Sequence, residues 1–426
     1  MNLSFIKKSS LIRKGIALLA NLFYGFPSRK LIMIGVTGSN GKTTTTYIIR
    51  HLLIAKGFEV GLIGTSGYWI NNNIKIDPPV IGSTPITTPD PFPLQKLLRQ
   101  MVNKGTKYCV MEVSSAGLRD WRIWGINFKV GILTSLADIY HVELHGNFEN
   151  YKNSKRRLFE ILSRDSLALL PLDNPFFEEF KQHTKAKVVS FGINPKADIN
   201  GHIINQSWNK NKIAINAFKS NFEVETKLKG EYNLLNILSA VGTALFLNVD
   251  IETIKNGLNS LTEIPGRFEI IEENLPFKVI IDKANSTEAF LNLIKTVKLL
   301  KPNRIIGIYG NFHDYSLRVR KEMAEIALNN FDLTIITTDD PKDEDPQKGI
   351  NDFINYAQNN NISPEKYLAF LNRREAIKEA LLKAQPNDVV LILGRGDEKL
   401  MNIKGQAIPF NDKEVALELI KELNLK

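Results

Sequence analysis

The sequence predicts an α/β protein. It should hold a phosphate-loop central domain on a mostly parallel sheet and a C-terminal, Rossmann-like doubly wound domain. Three observations carry this expectation. Short apolar runs alternate with helix-length segments along 426 residues, as in parallel sheets covered by helices. A glycine-rich turn from Gly35 to Thr44, Gly-Val-Thr-Gly-Ser-Asn-Gly-Lys-Thr-Thr, lies between a strand-like run and a helix-like one. A break at Ile264-Pro265-Gly266 separates two alternating blocks.

Taken in order, residues 1–30 read as a leader. Lys7, Lys8, Arg13 and Lys14 flank the apolar run Ile16 to Phe26. The run is too short to span a bilayer; Asn21 interrupts it and Pro27 ends it. An amphipathic helix packed on the first domain fits better than a signal peptide. Residues 31–265 form the central domain. Leu31 to Val36 is the strand entering the glycine turn, and Thr43 to Lys56 the helix leaving it. Tyr108–Val113 and Lys129–Thr134 read as buried strands, and Asn147 to Arg164 as a helix. Four short runs between 187 and 228 suggest an antiparallel excursion, followed by a long helix from Gly230 to Leu247. Residues 266–426 form the second block. Its strands are Val279–Asp282, Arg304–Tyr309, Leu333–Thr338 and Val389–Leu393, interleaved with five helices.

Bulk composition narrows the function. With 43% hydrophobic and 23% charged residues the chain is ordinary for a globular protein. One cysteine, Cys109, excludes an internal disulfide and fits a cytoplasmic setting. The net charge of +10 comes with no arginine-rich arm and no aromatic–basic RNA pattern, so no nucleic-acid partner is expected.

The turn Gly38-x-x-Gly41-Lys42-Thr43 has the composition of a phosphate cradle. Glycines let backbone N–H groups face an anion, the helix N-terminus adds partial positive charge, and Lys42 adds a full one. A Thr43 or Thr44 hydroxyl can hold Mg²⁺. Glu112, at the end of a buried strand, is a second metal candidate. His141 and His145 are four apart, which suggests either a zinc pair or two histidines in a polar loop. By spacing alone Lys155-Arg156-Arg157 is a solvated helix face, and Arg395-Gly396-Asp397 carries no adhesion function in such a chain.

Several motifs then recur in one order. They are the glycine turn, Thr87-Thr88-Pro89-Asp90, Met111-Glu112-Val113-Ser114-Ser115, His145-Gly146 with Tyr151 and Lys155, Gly230-Glu231-Tyr232-Asn233, Pro265-Gly266-Arg267-Phe268-Glu269, Asp339-Asp340-Pro341-Lys342 and Gly394-Arg395-Gly396-Asp397-Glu398. From about Phe23 onward the chain resembles the Mur ligases, ATP-dependent amide-bond ligases of peptidoglycan synthesis, and among them the tripeptide-synthetase type. The resemblance implies ATP held by Gly38, Asn40, Gly41, Lys42, Thr43, Thr44, Asn233, Arg267 and Asp282. It implies Mg²⁺ on Thr43, Glu112 and His141, and a Lys155 carbamylated by CO₂ (N6-carboxylysine), which overturns the solvated-face reading. Thr87, Thr88, Ser114, Ser115 and Arg122 would face the acceptor, a UDP-MurNAc-peptide or similar carboxylate. Asp339, Asp340, Lys342, Gly394 and Glu398 would hold the free amino acid. Lys42, Lys155 and Arg320 would serve catalysis. The implied chemistry turns a carboxylate into an acyl phosphate, which the amine then attacks.

The chain also departs from that pattern. About 30 residues precede the phosphate-loop strand, so the family's UDP-gripping first domain is expected to be absent, with a protein partner in its place. The family's Ser-Ser-His reads Ser114-Ser115-Ala116, and its Asp-Asn-Pro-Arg reads Asp339-Asp340-Pro341-Lys342. Two alternatives therefore stay open: a ligase on a non-UDP acceptor, of cyanophycin or polyglutamate type, and a non-catalytic nucleotide-binding subunit.

Overall fold

The protein is described from a computed structural model, which covers residues 10–81, 83–137, 140–271, 273–313 and 315–425; the side chains of Tyr140, His141 and Glu143 are also outside the described set. The chain forms two compact units. One comprises residues 1–79 and 85–262, the other 80–84 and 263–426.

The first unit opens with helix α1 (Ser10–Phe23). Strand β1 (Ile32–Thr37) leads into the glycine turn, from which α2 (Lys42–Ala55) departs. Strands β2 (Val60–Gly64), β3 (Gly67–Trp69) and β4 (Lys75–Ile76) follow; the next strands in the chain, β5 (Val80–Ile81) and β6 (Thr84–Pro85), pair in a small sheet, and residues 80–84 belong to the second unit. Then come α3 (Pro91–Asn103), β7 (Tyr108–Glu112), α4 (Ser115–Arg119), β8 (Phe128–Leu133), α5 (Phe148–Glu160), β9 (Leu167–Pro171), α6 (Phe177–Gln182), β10 (Lys187–Gly192), β11 (Ile199–Gln206), β12 (Asn211–Ala217) and β13 (Ser220–Thr226). Helices α7 (Glu231–Phe246) and α8 (Ile251–Ser260) complete the unit.

Eleven of these strands, all but β5 and β6, form one sheet, ordered β13-β12-β11-β10-β9-β8-β1-β7-β2-β3-β4. Its centre, β2 to β10 through β1, is parallel. Strand β1 is buried along nearly its whole length, between β7 and β8. Such strands read as unbroken apolar runs because helices cover both faces. The antiparallel excursion begins later than the sequence suggested. Lys187–Gly192 pairs in parallel with Leu167–Pro171, and within this segment β11 to β13 are antiparallel to one another, as β2 to β4 are at the other edge. The alternation in β12, buried at Ile213, Ile215 and Ala217, is what one covered face produces.

The second unit holds β14 (Glu269–Ile270), β15 (Lys278–Asp282), α9 (Thr287–Leu299), β16 (Ile305–Gly310), α10 (Leu317–Asn330), β17 (Leu333–Thr337), α11 (Pro346–Asn359), β18 (Tyr367–Phe370), α12 (Arg373–Lys383), β19 (Val389–Leu393), the hairpin β20 (Leu400–Ile403) and β21 (Gln406–Pro409), and α13 (Asp412–Glu422). Its sheet runs β14-β15-β19-β16-β17-β18, parallel except for the β14–β15 pair. Val279, Ile281, Ile306, Ile308, Ile335, Val390 and Ile392 pack with α12 and α13 in one core. The carboxyl ends of β15, β17 and β19 carry Asp282, Asp339-Asp340 and Gly394-Arg395. Open α/β sheets bind their ligands at those ends.

Candidate active site

In the first unit the glycine turn is held by close approach. Gly38 has φ +152°, and a Cβ there would stand 1.9 Å from Thr134 Oγ1; Gly41 has φ +84°, and a Cβ would stand 2.4 Å from Asn236 Oδ1. Both positions therefore require glycine. Gly41 caps α2 without a capping side chain, which leaves first-turn N–H groups for an anion. Thr134 Oγ1 donates to Asn40 O at 2.5 Å. Asn236 belongs to a chain of contacts that sequence reasoning passed over. Its Nδ2 donates to Asn233 Oδ1 at 3.1 Å, and its Oδ1 accepts from Thr45 Oγ1 at 3.2 Å. Asn233 in turn donates to Lys229 O at 2.8 Å. From the same helix as Asn233, Asn236 thus braces the phosphate loop.

Two amines meet on one carbonyl. Lys42 Nζ donates to Gly38 O at 2.9 Å, and Lys155 Nζ donates to the same oxygen at 2.7 Å. Lys155 is 1% exposed, unlike its neighbours Arg156 and Arg157. Burial, and then the charge of Lys42, push its amine well below the usual lysine range. Burial beside Lys42 therefore disfavours the charged form of this amine.

Glu112 tips β7 beside this loop. Its Oε1 accepts from Thr43 Oγ1 at 2.9 Å and from the Thr65 N–H at 3.1 Å, and its Oε2 from Thr65 Oγ1 at 3.2 Å. A Cβ at Gly64 would lie 2.5 Å from Oε1. Thr65 was not singled out from the sequence, although its place after a strand-end glycine was the available signal. The acceptor candidates gather here. Thr87 Oγ1 and Thr65 Oγ1 are 2.9 Å apart, Thr88 Oγ1 donates to Glu112 O at 2.9 Å, and Ser114 N–H donates to Thr88 Oγ1 at 2.9 Å. Arg122 Nη1 donates to Thr88 O at 2.8 Å. Ser115 Oγ lies 3.1 Å from His145 Nε2, whose other ring nitrogen is 3.3 Å from Ser154 Oγ. Burial, then Arg119 and Lys155, push His145 down to about 4. The His141 side chain, expected at the metal, lies outside the described residues.

The donor set suits a nucleotide and a hard cation. Thr43 and Glu112 would hold Mg²⁺ with phosphate oxygens; the glycine turn and Lys42 would take the phosphates. Among the described residues no three His, Cys, Asp or Glu side chains converge on a metal position; the zinc pair includes His141, whose side chain lies outside the described residues.

In the second unit, Asp282 accepts from Phe268 N–H at 2.6 Å. Burial pushes it up to about 6, against the pull of Arg267. Lys283 pairs with Glu398 at 2.8 Å. The fully buried Arg395 reaches Asp339 at 3.1 Å and Leu400 O at 2.7 Å. Asp339 is likewise raised to about 6 by burial, opposed by Arg395. Gly394, at φ +108°, lets Asp339 approach; a Cβ there would be 2.5 Å from its Oδ2. Asp340 accepts from Asn402 N–H and from Ser83 Oγ at 2.6 Å. Lys342 Nζ sits 5.1 Å from the Phe312 ring centre. The amino-acid candidates Asp339, Asp340, Gly394 and Glu398 therefore lie in one buried polar cluster. Arg320 is tied to Asp352 at 2.8 Å and to Glu344, so two carboxylates already neutralise it.

The two units thus carry a phosphate loop with an acid-tipped strand beside it and a doubly wound sheet with aspartates at its strand ends. Residues 36–244 match the Mur ligase middle domain, and residues 266–396 the Mur ligase glutamate ligase domain. The chain is 36% identical to the UDP-N-acetylmuramoyl-L-alanyl-D-glutamate--2,6-diaminopimelate ligase of Clostridium perfringens, over 96% of this chain and 82% of that one. A solved structure of a ligase of that name is 25% identical, with a TM-score of 0.67, covering 97% of this chain and 84% of that one. The ADP complex of the Thermotoga maritima MurF ligase shares the fold, at 19% identity and TM-score 0.67 over 95% and 83% of the two chains. The chain belongs to the Mur ligase family, whose members are ATP-dependent ligases.

Proposed function

We propose that this ligase adds the third residue of the peptidoglycan stem to UDP-MurNAc-L-Ala-D-Glu, with 2,6-diaminopimelate as the incoming amino acid. The observation that carries this reading is the 36% identity, over 96% of the chain, to a ligase named for that reaction. The residues supply the means. Lys42 and the glycine turn bind and orient the nucleotide phosphates and offset the charge of the transferring phosphoryl group. Thr43 and Glu112 would hold Mg²⁺, which would supply Lewis-acid compensation of the same charge. Thr87, Thr88, Ser114, Ser115 and Arg122 orient the acceptor carboxylate. Asp339, Asp340, Lys342, Gly394 and Glu398 receive the amino acid.

Lys155 acts as a carbamate. Its Nζ, in the uncharged form that burial favours, attacks the carbon of CO₂, an N–C bond forms, one C–O π bond opens to a carboxylate oxygen, and a proton leaves to solvent. The product puts an anion where an unpaired cation would be costly. We place the reaction in the cytoplasm, with a separate protein able to grip the UDP moiety. The changed Ser114-Ser115-Ala116 favours one second reading, a related ligase on a non-UDP peptide. Turnover measured with UDP-MurNAc-dipeptide against free glutamyl peptides, with diaminopimelate, lysine and glutamate as amines, tests both. Product only with the UDP acceptor and diaminopimelate supports the first; product only with free peptides replaces it.

A further inference from the structure

Helix α1 is amphipathic in the wrong sense for a free surface. Its inward side is small or polar. Ala17, Ala20 and Asn21 are buried, Arg13 pairs with Asp120, and Lys14 Nζ lies 4.0 Å from the Trp121 ring centre. Asn21 Nδ2 donates to Trp124 O at 3.0 Å. The outward positions, at helical spacing, are Leu11, Ile12, Gly15, Ile16, Leu18, Leu19, Leu22 and Phe23. Leu11 is 78% exposed, Leu22 63% and Phe23 74%. Phe92 of α3 extends the patch, its ring 6.1 Å from that of Phe23. A contiguous apolar face of several hundred Å² marks an interaction surface.

Charge selects the occupant. Residues 1–58 contain nine Lys and Arg and no Asp or Glu. Lys7 and Lys8 precede α1, and Arg29, Lys30 and Lys96 are exposed beyond its end and on α3. A second copy would bring two such basic segments together. At 14 residues the helix is about 21 Å long, and no helix among the described residues is long and apolar enough to cross a membrane. We infer that the outward face of α1 lies in the headgroup plane of an anionic lipid bilayer, holding the enzyme at the membrane surface. Leu and Phe side chains enter the acyl boundary while flanking lysines meet lipid phosphates.

The test is co-sedimentation of the full chain with vesicles of phosphatidylcholine alone and of phosphatidylcholine with phosphatidylglycerol. Sedimentation with the anionic vesicles, at least tenfold weaker with neutral ones and weakened by salt, is the expected result. Leu18→Glu/Leu22→Glu should lose that binding at least tenfold while still binding magnesium-ATP, which shows that it is folded. The inference is overturned if the chain stays in the supernatant with every vesicle, or if the variant sediments equally. A dimer that the same variant converts to monomer would also overturn it, by making the face a self-interface.

Discussion

Replacing Lys155 by alanine probes the least ordinary group in the site. The side chain is fully buried, and its amine shares Gly38 O with Lys42. In Lys155→Ala that carbonyl keeps Lys42, so no acceptor is orphaned. The fold loses one hydrogen bond and about three buried methylenes, roughly 3 kcal/mol. Release from burying an amine beside Lys42 offsets part of that. Under the proposed role, catalysis would lose the carbamate, and with it an anion that orders the charged groups around the phosphoryl group. Electrostatic contributions of this kind are worth about 10³ in rate, near 4 kcal/mol. Phosphate release with acceptor and amino acid present is the assay, run with and without added formate or acetate. Large loss with partial recovery by the small carboxylate is expected. Turnover within about threefold of the parent, without any additive, would refute the role.

The same side chain has a stability signature. Its amine is depressed in the folded state from an ordinary value of 10.5. Between those two values the unfolded chain carries the extra proton, so stability rises with pH across that window. Denaturant midpoints of the carbon-dioxide-free enzyme should show that slope, and Lys155→Ala should flatten it.

Three further outcomes are expected. Lys42→Ala should reduce ligation by at least about 10² through lost phosphate compensation; unchanged turnover would remove Lys42 from the mechanism. Glu112→Gln should raise the Mg²⁺ concentration for half-maximal activity by about tenfold or more, and an unshifted titration would move the metal elsewhere. His145, held at about 4 against an ordinary 6.5, stays neutral in the fold while the unfolded chain takes up a proton below 6.5, so stability falls as pH drops through that window. His145→Gln should lessen that fall, measured by unfolding at neutral and acid pH; an identical loss in both proteins would show that other groups cause it.

The phosphate-loop unit was legible because its signals are local. The turn from Gly38 to Thr43 combines glycine conformations, a lysine and a helix start in six residues, and the four expected strands of the second block are mostly apolar, whereas the short or polar strands β14, β18, β20 and β21 carry no such run. Lys155 was not legible from spacing, because Arg156 and Arg157 beside it are partly exposed and only the packing of α5 buries one of the three. The motif resemblance, not the pattern, singled it out. Strand Leu167–Pro171 escaped for a related reason: its partner in the parallel sheet, Lys187–Gly192, was assigned to the antiparallel segment. Thr65 and Asn236 act through contacts distant in sequence, which no local pattern encodes. The orientation of α1 is a further case. Periodicity shows that a helix has two faces, but only the surrounding Trp121, Trp124 and Asp120 show that its polar side is the one turned inward.

The central claim is that this chain spends ATP to join an acceptor carboxylate to an amine. The most direct measurement is mass-spectrometric detection of product from UDP-MurNAc-L-Ala-D-Glu, diaminopimelate and magnesium-ATP, with ADP and phosphate counted alongside. One amide product per ADP and per phosphate is the expected result. Tight binding of magnesium-ATP with no amide formed from this or any peptide acceptor would contradict it.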